Sequence, residues 1–223
     1  MYANHIAQMF DPSPQRGPQT PNEQLLVGLL ITLAASLLAL EFAQDFQPAK
    51  LSFFFFVFFW FPLLVLHEAA HAAMASVLGW SVDKVVIGIG RPLRSFHIGS
   101  IAVEWRLLPL EGFTRCRPTN LELPRVKNAL IYLAGPGIEI LLAVFILVIV
   151  SPNHLLRHSD QVGMIALQTL AVTSCCAGIM NLIPFSIRTP QKTIVNDGLG
   201  ILLAIITPRH KYIEALRPMA DDS

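Results

Sequence analysis

Two histidines and a glutamate stand at a spacing that is typical of zinc hydrolases. His67, Glu68 and His71 form the pattern His-Glu-x-x-His. On a helix, side chains four positions apart lie on one face, so both imidazoles can bind a single Zn²⁺. Glu68, beside the first histidine, is placed to accept a proton from a metal-bound water. The pattern therefore predicts metal-dependent hydrolysis.

The motif lies in one of the most apolar stretches of the chain. The residues before it read PLLVL and those after it read AAMASVLGW. Of the 223 residues, 53% are hydrophobic and only 14% are charged, which is less charge than an ordinary soluble domain carries. Ionisable groups in a membrane interior are costly and therefore indicate a function. We expect the hydrolysis to take place inside a membrane.

Apolar runs long enough to cross, or nearly cross, a bilayer as helices occur at four places. They are residues 25–40, 51–80, 129–150 and 162–183. Between the second and third runs, residues 84–113 contain β-forming residues punctuated by glycine, which predicts hairpins. The predicted fold class is an all-α polytopic membrane protein with about four transmembrane helices and a small membrane-associated β-hairpin or sheet insertion.

The polar ends of the chain set the expected domain limits. Residues 1–24 contain four prolines among polar residues, which favours a disordered cytoplasmic tail. Residues 25–206 are expected to form the membrane-embedded core. Residues 207–223 are expected to form a cytoplasmic C-terminal tail.

Basic residues predict the orientation in the membrane. Eight lysines and arginines lie between residues 79 and 128, whereas residues 43–50 and 151–161 carry one each, Lys50 and Arg157. Because positive charge favours the cytoplasmic side, both termini and the 79–128 segment are predicted to face the cytoplasm. His67 then lies in the cytoplasmic half of its helix. We expect a multi-pass integral protein of a bacterial cell membrane.

The metal site needs a ligand beyond the two histidines, because catalytic zinc usually has three protein ligands and one open position. Asp197 is a candidate, since it directly precedes the apolar run at residues 199–206. An acidic residue at a helix end near the membrane is suited to metal ligation. A less favoured interpretation is that Asp197 is the N-cap of that helix, and the two roles can coexist.

Three motifs in this order resemble the site-2 proteases (peptidase family M50), which are intramembrane zinc metalloproteases. The resemblance covers about residues 60–200, and the combination is far more specific than any one part. The motifs are His67-Glu68-x-x-His71, then Gly135-Pro136-Gly137 in the next apolar helix, then Asn181-x-x-Pro184 followed by Asp197-Gly198. Taken alone, the Gly-Pro-Gly motif also fits a helix kink with tight packing.

The resemblance implies a function and roles for individual residues. His67, His71 and Asp197 would bind one Zn²⁺, Glu68 would be the general base, and Asn181 would bind substrate or stabilise the oxyanion. The β insertion would offer an edge to an extended peptide. The implied activity is cleavage of membrane-anchored proteins near the cytoplasmic face, as in regulated intramembrane proteolysis. The expected partners are a transmembrane protein substrate and membrane lipids, with no nucleic acid, and the sequence leaves the oligomeric state open.

Two departures from the family pattern support an alternative. Glu139 stands where the family often has asparagine, and the polar insert at residues 186–196 makes the spacing between Asn181 and Asp197 longer than usual. Both features are compatible with a catalytically impaired pseudoprotease that binds transmembrane clients, although the intact Glu68 argues against it. A transporter would spread polar residues over several membrane helices, whereas this chain concentrates them at one site.

Overall fold

The computed structural model describes residues 47–188 and 193–216, together with residues 29, 32, 33, 36, 40 and 44. The predicted tail at residues 1–24 lies outside the described residues, and so does most of the predicted first span at residues 25–40. Residues 217–223 also lie outside them. The predictions for these segments stay predictions.

Three long helices form the apolar part of the described chain. A 3-10 turn, Pro48–Lys50, leads into α1 (Leu51–Val77), which is followed after the sheet by α2 (Pro124–Val150), the short α3 (Pro152–Leu155) and α4 (Val162–Leu182). Within the described residues, Pro48–Val77, Pro124–Val150 and Val162–Leu182 are long and apolar enough to cross a membrane. Three of the four predicted spans are therefore present as helices, while the total of four stays a prediction.

Helix α2 lies at the centre of this bundle and packs against α1 and α4. The contact with α4 is close because α4 carries Gly178 at the crossing. A Cβ atom on Gly178 would lie 2.7 Å from Ile140 Cγ1 and 2.9 Å from the carbonyl oxygen of Pro136. Small residues allow membrane helices to approach in this way. The tight packing expected around Gly135-Pro136-Gly137 is thus observed, with the partner glycine on α4.

The β insertion is a single sheet of two long strands, β1 (Ser81–Ile98) and β2 (Ile101–Arg117). It extends beyond the predicted limits of residues 84–113 at both ends. Val85 pairs with Thr114 on one side and with Val103 on the other, so the first half of β1 lies between the two halves of β2. Residues 112–117 have one strand neighbour among the described residues and form an edge of the sheet.

The described parts of the polar insert at residues 186–196 form two short antiparallel strands. Strands β3 (Ser186–Arg188) and β4 (Thr193–Val195) pair with each other, and residues 189–192 lie outside the described part. The main-chain N–H of Asn196 donates to the carbonyl oxygen of Phe185 at 3.3 Å, so the two ends of the insert lie next to each other. The long spacing therefore does not move Asp197 away from the end of α4.

Two helices complete the described chain, α5 (Asp197–Ile206) and α6 (Arg209–Leu216). Helix α6 falls within the predicted tail at residues 207–223, yet its Tyr212 is fully buried. The Tyr212 hydroxyl donates to the carbonyl oxygen of Ala204 at 3.2 Å and accepts from the Asn128 amide at 3.1 Å. These contacts fix α6 against α2 and α5.

Candidate active site

The three predicted metal ligands converge although they are distant in sequence. His67 and His71 lie on α1 and are both buried, and Asp197 is the first residue of α5. His67 Nε2 lies 2.9 Å from Asp197 Oδ2 and 3.0 Å from His71 Nε2. His71 Nε2 lies 3.4 Å from Asp197 Oδ1. The structure thus brings all three side chains to one point.

This group fits a zinc ion. Bonds of about 2.0–2.2 Å in a tetrahedral site hold neighbouring ligand atoms roughly 3.3–3.6 Å apart. The observed separations of 2.9–3.4 Å approach that range, and two imidazoles with one carboxylate are a common catalytic ligand set. A zinc ion held by His67, His71 and Asp197 would have three protein ligands, the number that catalytic zinc sites usually combine with one water.

Helix α2 leaves room in front of the ligand nitrogens by presenting a glycine. A Cβ atom on Gly135 would lie 2.5 Å from His67 Nε2 and closer still to His71 Nε2. The side chain of any other residue would clash with both histidine nitrogens. By contrast, a Cβ atom on Gly137 would meet nothing within 4 Å. Gly135 therefore lines the site directly, whereas Gly137 does not.

Both histidines are also contacted at their second nitrogen by α2. His71 Nδ1 donates to the carbonyl oxygen of Ile131 at 2.6 Å, which leaves the electron pair of Nε2 for a metal. His67 Nδ1 lies 3.2 Å from Glu139 Oε2, and Glu139 is buried. These two atoms lack the alignment of a hydrogen bond, so the contact is one of proximity and charge. The sequence left the partner of Glu139 open, and the structure identifies it as His67.

The predicted base, Glu68, contacts the β sheet. Its side chain is buried, and its Oε2 accepts a hydrogen bond of 2.8 Å from Thr114 Oγ1. A Cβ atom on Gly112 would lie 2.6 Å from both Cγ and Oε1 of Glu68. Sequence reasoning missed both residues. A glycine within a strand does indicate close approach of another group, but the sequence does not show which group.

Asp197 is placed by its neighbour Asn196, which is the N-cap of α5. The Asn196 side chain accepts a hydrogen bond of 3.2 Å from the amide of Leu199. The side-chain amide nitrogen of Asn196 donates to the carbonyl oxygens of Asn181 at 2.9 Å and Ile183 at 2.7 Å. The alternative that Asp197 itself is the cap is therefore wrong, and its carboxylate is left to face the histidines. A carboxylate in the first turn also interacts favourably with the helix dipole.

The remaining motif residues support this junction between α4 and α5. A Cβ atom on Gly198 would collide with the carbonyl oxygen of Leu182, so glycine permits α5 to begin against the end of α4. Asn181 lies half-buried in the last turn of α4, and its main-chain carbonyl is the group that contacts Asn196. The predicted role of the Asn181 side chain toward a substrate stays a prediction.

A known protein family and a curated protein match parts of this chain, and the family match includes His67, Glu68 and His71 but ends before Asp197. The sequence model of peptidase family M50 matches residues 54–161. The chain is 28% identical over 153 residues to a Campylobacter jejuni subsp. jejuni protein named "Putative zinc metalloprotease Cj1068". That match covers 62% of this chain and 40% of the relative. The chain thus spans less than half the length of the curated relative that it matches.

Proposed function

We propose, from the membership of this chain in the site-2 protease family (peptidase family M50), that it is a zinc-dependent intramembrane endopeptidase. Its substrates are membrane-anchored proteins. The observation that carries the proposal is the convergence of His67, His71 and Asp197 beside Glu68 in an apolar helix. Residues that could bind a metal and move a proton are thus assembled where a soluble substrate has little access.

The side chains divide the work of peptide hydrolysis. His67, His71 and Asp197 would hold a Zn²⁺, which when bound would acidify a water molecule and polarise the scissile carbonyl. Glu68 accepts the proton of the attacking water and passes it to the leaving amine. Thr114 holds the Glu68 carboxylate through its hydroxyl while β2 covers it. Asn181 is proposed to bind the substrate backbone or the oxyanion.

The sheet offers a place for the substrate. Residues 112–117 form an edge strand, and Gly112 and Thr114 of that strand contact Glu68. An extended peptide that paired with this edge would be held next to the base by main-chain hydrogen bonds. Peptide bonds within an intact helix are already hydrogen-bonded, so the substrate must unwind. Substrates with helix-weakening residues near the cleaved bond should be preferred.

The proposed orientation follows from charge. With the basic segment at residues 79–128 in the cytoplasm, both termini are cytoplasmic and the cut falls near the cytoplasmic face of a bacterial cell membrane. Such a cut would release the cytoplasmic part of a membrane-anchored regulator. Regulated intramembrane proteolysis is therefore the proposed process.

The test is cleavage of tagged transmembrane substrates in reconstituted membranes. The purified protein is compared with Glu68→Gln, which keeps the shape of the side chain and removes the base. The expected result is cleavage by the first protein alone, at a bond that mass spectrometry places in the cytoplasmic half of the substrate helix. Capture of several diverse substrates without cleavage by either protein would favour a client-binding pseudoprotease.

The structure gives a local explanation for both departures that supported this alternative. Glu139 faces His67, and the two ends of the insert at residues 186–196 are joined by a main-chain hydrogen bond between Asn196 and Phe185. Neither feature displaces a ligand or the base. We therefore propose the enzyme in preference to the client-binding protein.

A further inference from the structure

Glu139 is the acidic residue whose position demands an explanation. It is 2% exposed and lies inside α2, within a helix apolar enough to cross a membrane. An ionisable group at such a place is costly unless it has a partner. Among the ion pairs of the described residues, the partner of Glu139 is His67, at 3.2 Å. Among the described residues, the Glu139 carboxylate therefore has its charged contact with the proposed metal site.

The contact is made at the nitrogen that a metal would not use. His67 Nε2 faces Asp197 and His71, whereas His67 Nδ1, on the other side of the ring, faces Glu139. Among the residues that the structure describes, neither His67 Nδ1 nor Glu139 Oε2 has a hydrogen-bond partner. A buried donor and a buried acceptor at this distance need only a small rotation to bond with each other.

Helix geometry explains why this helix can supply the carboxylate. Glu139 lies four positions after Gly135, so both residues share the face of α2 that borders the ligand nitrogens. Ile131, four positions before Gly135, supplies the carbonyl that contacts His71. One face of α2 therefore presents an acceptor to each histidine and leaves a gap between them.

We propose that Glu139 is a positioning residue of the metal site, whose carboxylate accepts the Nδ1 hydrogen of His67 and so directs Nε2 toward the metal. This inference rests on the proposed zinc site. The two histidines then differ, because His71 has a neutral carbonyl acceptor and His67 a carboxylate. Hydrogen bonds to a charged acceptor are roughly twice as strong as neutral ones, and the outer partners of metal ligands contribute about 10–100-fold to metal affinity.

The experiment measures zinc affinity by competition with a chelator of known affinity, for the full-length protein and Glu139→Gln. Glutamine has the same shape but lacks the charged acceptor, so we expect about 10–100-fold weaker zinc binding with one ion still bound at saturation. Glu122→Gln is the matched control, because Glu122 is an exposed carboxylate outside the spans. An affinity of Glu139→Gln equal to that of the control would overturn the proposal.

A second readout separates positioning from a merely structural role. Thermal unfolding is compared with and without saturating zinc, since a ligand stabilises the folded state in proportion to the logarithm of its concentration over Kd. Positioning predicts that the metal-free forms unfold at the same temperature and that the gain on adding zinc is smaller for Glu139→Gln. A lower unfolding temperature of the metal-free variant with an unchanged gain would contradict it.

The outcome can be told apart from failure of the proposed function. If the unaltered protein neither binds zinc nor cleaves substrates, the proposed function fails. If it does both, and Glu139→Gln binds zinc equally well, only the inference about Glu139 fails.

Discussion

Replacing Gly135 by alanine adds one methyl group at the point where α2 faces the ligand nitrogens. That Cβ atom would lie 2.5 Å from His67 Nε2 and 2.7 Å from His67 Cε1. Ordinary van der Waals contact begins at 3.4 Å, so the imidazole must move by about 0.9 Å or α2 must shift away. Either movement separates His67 from Asp197, with which it makes a contact of 2.9 Å.

The expected loss is large because the methyl group acts on the ligands themselves. Overpacking of a well-packed interior costs about 1–3 kcal/mol, while alanine in place of glycine favours a helix by about 1 kcal/mol. The protein should therefore still fold. A misplacement of about 1 Å in a catalytic group can cost about 100-fold in rate, and we expect a loss of that order in kcat/KM together with weaker zinc binding.

The matched control is Gly137→Ala, two positions along the same helix. It gains the same helix propensity, but its Cβ atom meets nothing within 4 Å. Zinc content per folded protein and cleavage rate are measured for both variants in the same detergent or membrane. Full zinc content and full activity of Gly135→Ala, equal to those of Gly137→Ala, would refute the geometry described for the site.

Three further predictions concern the residues around the ligands. Thr114→Val removes the hydroxyl that donates to Glu68. A hydrogen bond to a charged group contributes about 1.5 kcal/mol, so its loss should lower kcat about tenfold. Zinc content should not change, and Thr114→Ser should restore the rate. Asn196→Ala removes the cap of α5 and should cost about 1 kcal/mol of unfolding free energy and weaken zinc binding, whereas Asn196→Asp, which can still cap the helix, should retain more of the stability. Burial opposes ionisation of Glu104, but hydrogen bonds from Arg106 and Lys84 outweigh burial and lower the pKa of this carboxyl below 4.5. The ionised carboxylate therefore stabilises the sheet above pH 4.5, and this stabilisation is lost as the pH falls through the lower pKa of the folded state. Amide exchange of β1 and β2 should accelerate in acid, and Glu104→Gln should remove that part of the pH dependence.

The ligands of the site could be predicted from sequence because each carries a local pattern. His67 and His71 are separated by one helical turn, and such spacing fixes a shared face without knowledge of the fold. Asp197 was predicted from its place before an apolar helix and from the family motif. The structure brings the three together through the close contact of α5 with the end of α4 at Gly198.

The contacts around these ligands were not predictable, because they depend on how distant elements pack. No local pattern links Thr114 or Gly112 to Glu68, since the link runs through the position of the sheet on α1. Glu139 is unusual in the sequence as a carboxylate inside an apolar helix, but its partner His67 lies on another helix and so could not be predicted. Residues 207–223 were expected to form a cytoplasmic tail, whereas Tyr212 in α6 is buried, and this burial depends on the assembled bundle.

The decisive experiment for the assigned active site measures cleavage as zinc is added back to metal-free protein in reconstituted membranes. If His67, His71 and Asp197 hold the catalytic zinc, the cleavage rate should rise in proportion to bound zinc and saturate at one ion per chain. Glu68→Gln should bind the same amount of zinc and cleave nothing, because it keeps His67, His71 and Asp197 and lacks only the base. Cleavage that persists without metal, or equal cleavage by Glu68→Gln, would contradict the assignment of the active site.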